Sequence, residues 1–382
     1  MNLQECRAKI NDIDDKICDL FVERMKVSSE VAKAKAAANL AVTDNSRERE
    51  ERLRMIKRAG EELGDRAAVL FTTLFDLSRS YQRYLLSGNG ELAAALESAG
   101  KADLETPFPE RAVVACQGVE GAYSQQACDR LFKQADIVYV RNFAGVFQAV
   151  AQGLCEYGIL PIENSTSGSV NAIYDLMRSN KFYIVRSLSM PVRHHLLAKP
   201  GVRLEDVKEI VSHEQGILQC REFLNRNPGI KITINDNTAM AAKMVAESNR
   251  NDLAAIASLD CAQVYGLSDL ASEEIQNSPA NRTRFICISR NLRLFPGADR
   301  ISLMLSTSHR PGALYRLISK FASIGVNLTK LESRPIPGRE FEFMFYFDLE
   351  ASPRNPEVIR LLDGLASGTD TFVFLGGYRE MV

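Results

Sequence analysis

Two long cationic side chains set into an apolar helical seam are the first residues of this chain with chemical potential. Apolar residues fall at Ile10, Ile13, Ile17, Leu20, Val27 and Val31, the three-four spacing of one long helix. Arg24 sits inside that seam, and Lys35 follows four residues after Val31 on the same face. A buried arginine is costly unless it meets an anion. The pair therefore predicts an anionic ligand, with an internal carboxylate partner as the other reading. At about 1.5 Å per residue the two are ~16 Å apart along the axis, leaving room for one small molecule. Arg7 stands ~26 Å from Arg24 by the same rise. Unless the helix bends back, Arg7 reaches such a site only from a second subunit, so the spacing predicts a dimer with shared sites.

A second constellation lies in residues 160–170. An apolar run (157–162) reads as a buried strand, and residues 167–169 open an amphipathic pattern with Val170, Ile173 and Met177. Between them come Glu163, Asn164, Ser165 and Thr166. Strand, polar turn and helix N-terminus is where anionic ligands collect in an α/β sheet, because orphan backbone N–H groups point outward there. A solvated loop with a good N-cap accounts for the same residues. Two more polar segments sit at junctions: Ser212-His213-Glu214-Gln215 before a helix, and Asn281-Arg282-Thr283-Arg284-Phe285 entering a strand (285–289). Alternation puts Thr283 and Phe285 on one face of that strand and Arg284 on the other. A threonine there is ordinarily a good β-former and nothing more.

The elements that must position these residues follow from periodicity. Residues 1–88 read as helical: the long first helix, a break at 39–46 with Asn45 and Glu48 as a capping box, a charged helix at 47–59, a turn flanked by Gly60 and Gly64, and a third helix at 65–86. On that third helix Ser78 and Gln82 are one turn apart, facing one pocket or the solvent. Residues 89–109 read as a linker that contains a short alanine-rich helix at 92–99. Residues 110–291 alternate strands (113–116, 137–140, 157–162, 183–187, 230–234, 253–257) with helices, as an α/β region of two lobes and a cleft. Residues 299–382 give strand, helix, strand, strand, helix, strand (301–306, 313–324, 327–333, 341–349, 356–365, 371–375), a ferredoxin-like α+β layout.

Composition bounds the rest. The chain has 382 residues, 46% of them hydrophobic and 25% charged, with net charge −1, so nothing favours a nucleic-acid partner. Glu5, Arg7 and Lys9 exclude a signal peptide at this N-terminus, and no apolar run approaches a membrane span. Eight cysteines without a C-x-x-C pair, beside four histidines, predict reduced thiols, no metal site and a cytoplasmic protein. The sequon at Asn164 carries little meaning without a secretory signal. Gly118 to Ser124 follows a strand but lacks the ending of a P-loop and the third glycine of a dinucleotide fingerprint, so no nucleotide cofactor is expected.

Pro161-Ile162-Glu163-Asn164-Ser165, Thr283-Arg284-Phe285 and Glu332-Ser333-Arg334-Pro335, in this order behind a helical domain, resemble the bifunctional chorismate mutase–prephenate dehydratases. The resemblance covers nearly the whole chain and implies a mutase domain, a dehydratase domain and an ACT-type regulatory domain without cofactors. It implies chorismate and prephenate as substrates and L-phenylalanine as effector. In the mutase it assigns Arg24, with Arg7 of a second subunit, to the substrate carboxylates, Lys35 and Gln82 to the breaking ether oxygen, and Glu48 to the ring hydroxyl. Asp44, Arg47 and Ser78 would contact substrate or support those groups. In the dehydratase it assigns hydroxyl departure to Thr283, substrate binding to Ser124, Glu163, Asn164, Ser165 and Gln215, and an apolar wall to Phe285. Phenylalanine would meet Gly312, Ala313 and Leu314 together with Glu332, Ser333, Arg334 and Pro335. Glu214 departs from the family, which commonly has proline there, and Tyr315 stands where some relatives carry a smaller aliphatic residue. A dehydratase acting on prephenate or arogenate with a non-catalytic helical domain, or a phenylalanine sensor, are the competing readings.

Overall fold

The computed structural model describes residues 2–87, 90–307, 309, 311–336, 338 and 342–382, with the side chains of Asn45 and Ser87 left aside. The capping box expected at Asn45, Gly88 and Asn89 of the expected helix stop, and Phe341 at the expected start of a strand lie outside the described residues.

Helix α1 spans Leu3–Ala37 and opens on a capping box, with Asn2 Oδ1 accepting from Glu5 N at 2.8 Å and Glu5 returning the bond to Asn2 N at 3.0 Å. Helix α2 spans Asn45–Ser87 and is broken at Gly60, whose φ of +78° and ψ of 175° suit only glycine. The expected turn is thus this one residue, and helix resumes at once instead of after Gly64. Residues 61–87 fold back so that Arg79 meets Glu48 and Arg83 reaches Thr43. The apolar stripe of α1 is uncovered within the chain: Ile10, Ile13, Ile17 and Leu20 are each more than half exposed. The expected oily seam exists, but no element among the described residues buries its first half.

Helix α3 (Glu91–Ala102) occupies the expected linker and packs Ala93 and Leu96 into the core of the C-terminal residues. Then follow β1 (Arg111–Gln117), α4 (Tyr123–Leu131), β2 (Gln134–Val140), α5 (Phe143–Ala151), β3 (Tyr157–Asn164), β4 (Gly168–Ser169), α6 (Asn171–Ser179) and β5 (Tyr183–Pro191). The chain crosses into a second lobe with β6 (His195–Ala198), β7 (Glu209–Ser212), α7 (Glu214–Gln219), α8 (Arg221–Arg226), β8 (Lys231–Ile234), α9 (Thr238–Glu247), β9 (Leu253–Ala257), α10 (Leu259–Tyr265) and β10 (Ser268–Asp269). It returns to the first lobe as β11 (Arg282–Ser289), inserted antiparallel between β3 and β5. The second lobe has its own sheet, ordered β10-β6-β9-β7-β8.

The C-terminal domain comprises β12 (Arg300–Ser306), α11 (Ala313–Ser323), β13 (Asn327–Pro335), β14 (Phe343–Glu350), α12 (Pro356–Ala366) and β15 (Phe372–Met381). Its sheet is ordered β13-β14-β12-β15, and β15 runs six residues past its expected end to pair in parallel with β5, from Arg379 beside Arg186 to Met381 beside Leu188. One sheet therefore crosses both domains. Gly376 makes the crossing feasible, because a Cβ there would stand 2.2 Å from the carbonyl oxygen of Ile184. The domains also share a core, in which Leu160, Ile162 and Tyr174 meet Met344, Tyr346 and Tyr378.

Candidate active sites

In the helical domain α1 and residues 61–87 of α2 bring Arg24, Ser78 and Gln82 together. The Arg24 guanidinium donates to Ser78 Oγ and, at 3.2 Å, to the Leu74 carbonyl, and it lies 5.7 Å from the Phe75 ring centroid. It is half-buried, and burial lowers its pKa while the charge of Glu48 opposes that shift. Arg24 thus turns away from open solvent without any carboxylate in ion-pair reach among the described residues. Gln82 is buried, and its Oε1 has no hydrogen-bond partner among the described residues. Ser78 is buried beside it. Lys35 folds onto its own loop, donating to the Val42 carbonyl at 2.5 Å. Glu48 is held by Arg79, which also takes Asp76. Asp44 caps the next helix through Arg47 N at 3.1 Å, and the side chains of Asp44 and Arg47 are exposed. Arg7 is exposed as well, nearly five turns from Arg24 on the same helix.

The cleft between the two lobes holds the second site. Adjacent antiparallel strands β3 and β11 pair Asn164 with Thr283 in register. Asn164 Nδ2 donates to Thr283 Oγ1 at 2.9 Å and to Asn281 Oδ1 at 2.8 Å. Its Oδ1 in turn accepts from Thr166 Oγ1 at 2.6 Å and from the Thr166 and Ser167 N–H groups at 3.0 and 2.9 Å. Thr283 is buried, and its hydroxyl donates to no described residue, so its hydrogen is free for a bound molecule. From the second lobe, Gln215 accepts from Ser167 Oγ at 2.8 Å. A cavity of about 270 Å³ opens beside this cluster, and its lining, which includes Thr166, Ser167, Gln215, Gln219 and Asn281 but neither Asn164 nor Thr283, carries no charge. That size is near the lower end for a small-molecule site.

Several expected residues lie elsewhere. Ser165 spends its hydroxyl on the backbone, accepting from Arg282 N and donating to the Ala280 carbonyl, each at 2.9 Å. Ser124 is buried on α4, and none of its bonds reaches the cluster around Asn164. Phe285 is packed in the core with Val114, Leu188 and Met190, so it does not wall the cavity. Glu214 is exposed at the start of α7. Glu163 leaves β3 on the face opposite Asn164, as alternation requires. There its carboxylate pairs with Arg284 Nε at 2.7 Å and with Lys330 of β13. Burial pushes its pKa up, but Arg284 and Lys330 hold it below the usual carboxylate range. Arg284 continues to Asp348 of β14 at 2.6 Å.

Of the expected phenylalanine elements, Gly312 and Ala313 open α11 beside α2, whereas Glu332 and Arg334 on β13 turn to Ser169 and Asp175. Leu314 packs against the domain core. Ser333 and Pro335 pair with Phe345 and Phe343 along β14. Among the described residues no hydrogen bond or ion pair joins the two sets.

Gln219 was absent from the expected site and bridges its two lobes. Its Nε2 donates to Thr166 Oγ1 and Ser167 Oγ, each at 3.2 Å, across the cleft. Its Oε1 accepts from Asn281 Nδ2 and faces His194 Nε2, each at 2.9 Å. Burial lowers the pKa of His194, and the bond to Gln219 opposes this only in part. The available signal was the four-residue spacing from Gln215, which puts both amides on one face of α7.

The profile of the prephenate dehydratase family matches residues 114–293, and that of chorismate mutase type II matches residues 6–83. A bifunctional chorismate mutase/prephenate dehydratase of Escherichia coli is 31% identical over 97% of this chain and 95% of its own length. An arogenate dehydratase/prephenate dehydratase of Arabidopsis thaliana is 37% identical over 70% of this chain and 73% of its own. The structure of a prephenate dehydratase from Arthrobacter aurescens in complex with L-Phe superposes with a TM-score of 0.64, at 31% identity, over 70% of this chain and 89% of that one.

Proposed function

This chain belongs to the family of bifunctional chorismate mutase/prephenate dehydratases, and from that premise we propose how its residues divide the work. It rearranges chorismate to prephenate, then removes water and carbon dioxide from prephenate to give phenylpyruvate. The first step is pericyclic and needs no nucleophile. Its site has only to hold the reactive conformer and to stabilise charge growing on the ether oxygen. Arg24 clamps a substrate carboxylate, Gln82 and Lys35 serve the ether oxygen, and Glu48 takes the ring hydroxyl. Arg7 comes from a second subunit seated on the bare stripe of α1, a homodimer supported by the exposure of Ile10, Ile13, Ile17 and Leu20.

For the dehydratase, the observation that carries the reading is the bond from Asn164 Nδ2 to Thr283 Oγ1. With its oxygen already accepting, Thr283 directs its own hydrogen at the departing hydroxyl group. Gln215 and Gln219 orient the ring from the other lobe. The uncharged lining suits a carboxylate that must leave as neutral carbon dioxide. Residues 299–382 form an ACT-type, ferredoxin-like regulatory domain that binds L-phenylalanine, its two elements completed across the dimer. Eight free thiols support a reducing, cytoplasmic setting.

Supplying the full chain with chorismate and following phenylpyruvate tests both reactions together. Accumulated prephenate would leave only the mutase, and turnover of added prephenate alone would leave only the dehydratase. The name of the Arabidopsis relative makes arogenate the competing substrate to include beside prephenate.

A further inference from the structure

A cavity of about 780 Å³ lies where the helical domain meets the C-terminal domain. Six cations line it: Arg49, Arg52, Arg79 and Arg83 from α2, and Arg316 and Lys320 from α11. The lining answers them with two carboxylates, Glu48 and Asp76. Arg79 already engages both, and Arg316 Nε stands 3.8 Å from Asp76. Among the described residues, Arg49, Arg52, Arg83 and Lys320 have no carboxylate within ion-pair distance.

Two of these unpaired cations are not free to swing into water. Arg83 is half-buried, with its guanidinium against Gly368 and Thr43 Oγ1 at 3.5 Å as its hydrogen-bond partner. Lys320 is half-buried on the facing wall. Burial lowers the pKa of each, with the neighbouring charge of Arg79 adding to the effect and Asp76 opposing it. Cations held in this way are destabilising unless something negative joins them. The same cavity receives the start of α11, an eleven-residue helix with no side-chain cap on its first N–H groups.

The cavity borders the first site at Glu48 and is separate from the cleft site. Arg24, Lys35, Ser78 and Gln82 do not line it. The stripe Thr72, Asp76, Arg79 and Arg83 lies about 100° around α2 from Ser78 and Gln82. An amino-acid zwitterion is a poor occupant, because its ammonium group would enter a surplus of positive charge.

We propose that this junction binds a small anion carrying two or more negative charges, and that the anion clamps the C-terminal domain to the helical domain. Carboxylate and phosphate groups share the required chemistry, since guanidinium groups accept either in forked geometry.

The test is calorimetric titration of the full chain with inorganic pyrophosphate and, separately, with citrate. At least one should bind saturably, and its identity distinguishes the phosphate from the carboxylate source. In the double variant Arg83→Gln/Lys320→Gln the affinity should fall by at least about tenfold. The conservative pair Arg83→Lys/Lys320→Arg should keep most of it. Mutase turnover in both variants reports an intact helical domain, since neither residue touches the Arg24 site. No saturable binding of either probe, or equal affinity in the wild type and the glutamine variant, would overturn the proposal.

Discussion

The Arg284 guanidinium lies 2.6 Å from the Asp348 carboxylate, joining the strand that carries Thr283 to the middle of the C-terminal sheet. Both groups are nearly inaccessible to solvent, and Asp348 also accepts from Ser302 Oγ at 2.5 Å. Burial alone would lower the Arg284 pKa, but Asp348 and Glu163 hold it up. Removing one partner of such a buried pair strands the other charge, at a cost of several kcal/mol. Asp348→Asn should therefore destabilise the chain by about 3 kcal/mol in urea unfolding, at the low end of that range because Glu163 remains. An indistinguishable midpoint would show that the pair adds nothing.

Thr283→Ala should reduce phenylpyruvate formation by about 10²-fold or more, the usual worth of a positioned proton donor, while chorismate consumption continues. Thr283→Ser, which keeps the hydroxyl, should retain part of the activity. Equal loss of both reactions in the alanine variant would refute separate sites.

Subunits carrying Arg7→Ala or Arg24→Ala should each be poor mutases alone. Mixed and allowed to exchange, they should recover activity, because a hybrid dimer regains one site with both arginines. No recovery despite confirmed exchange would count against a site shared between subunits.

His194 gives the cleft a pH dependence of definite sign. Its folded pKa lies below the usual histidine value near 6.5, so the unfolded chain takes up the proton more readily. Its contribution to stability is present above that value and declines as the pH falls through it toward the folded pKa. The thermal midpoint should drop between pH 7.5 and 5.5, by less in His194→Gln than in the wild type. Identical drops would assign the effect to other groups.

Much of this architecture is local, and so it was readable from residue order. The alternation in β3 and β11, the strand pattern of residues 299–382 and the face shared by Ser78 and Gln82 all follow from a period of 2 or 3.6. What escaped depends on partners far along the chain. Periodicity marked the apolar stripe of α1 but could not say whose surface covers it. Glu163 was grouped with Asn164 because they are neighbours, although the pleat sends them to opposite sides and Lys330 waits on one of them. The end of β15, rich in polar residues, is strand because β5, nearly two hundred residues earlier, offers it a free edge.

That last pairing changes what kind of object the C-terminal domain is. A sensor tied on by a flexible tether could be cut off or grafted onto another enzyme with little harm to its host. Here the final residues form the outer rib of the dehydratase lobe itself, so trimming the tail strips a neighbour from β5. Any shear imposed on one module is felt as a change of strand alignment in the other.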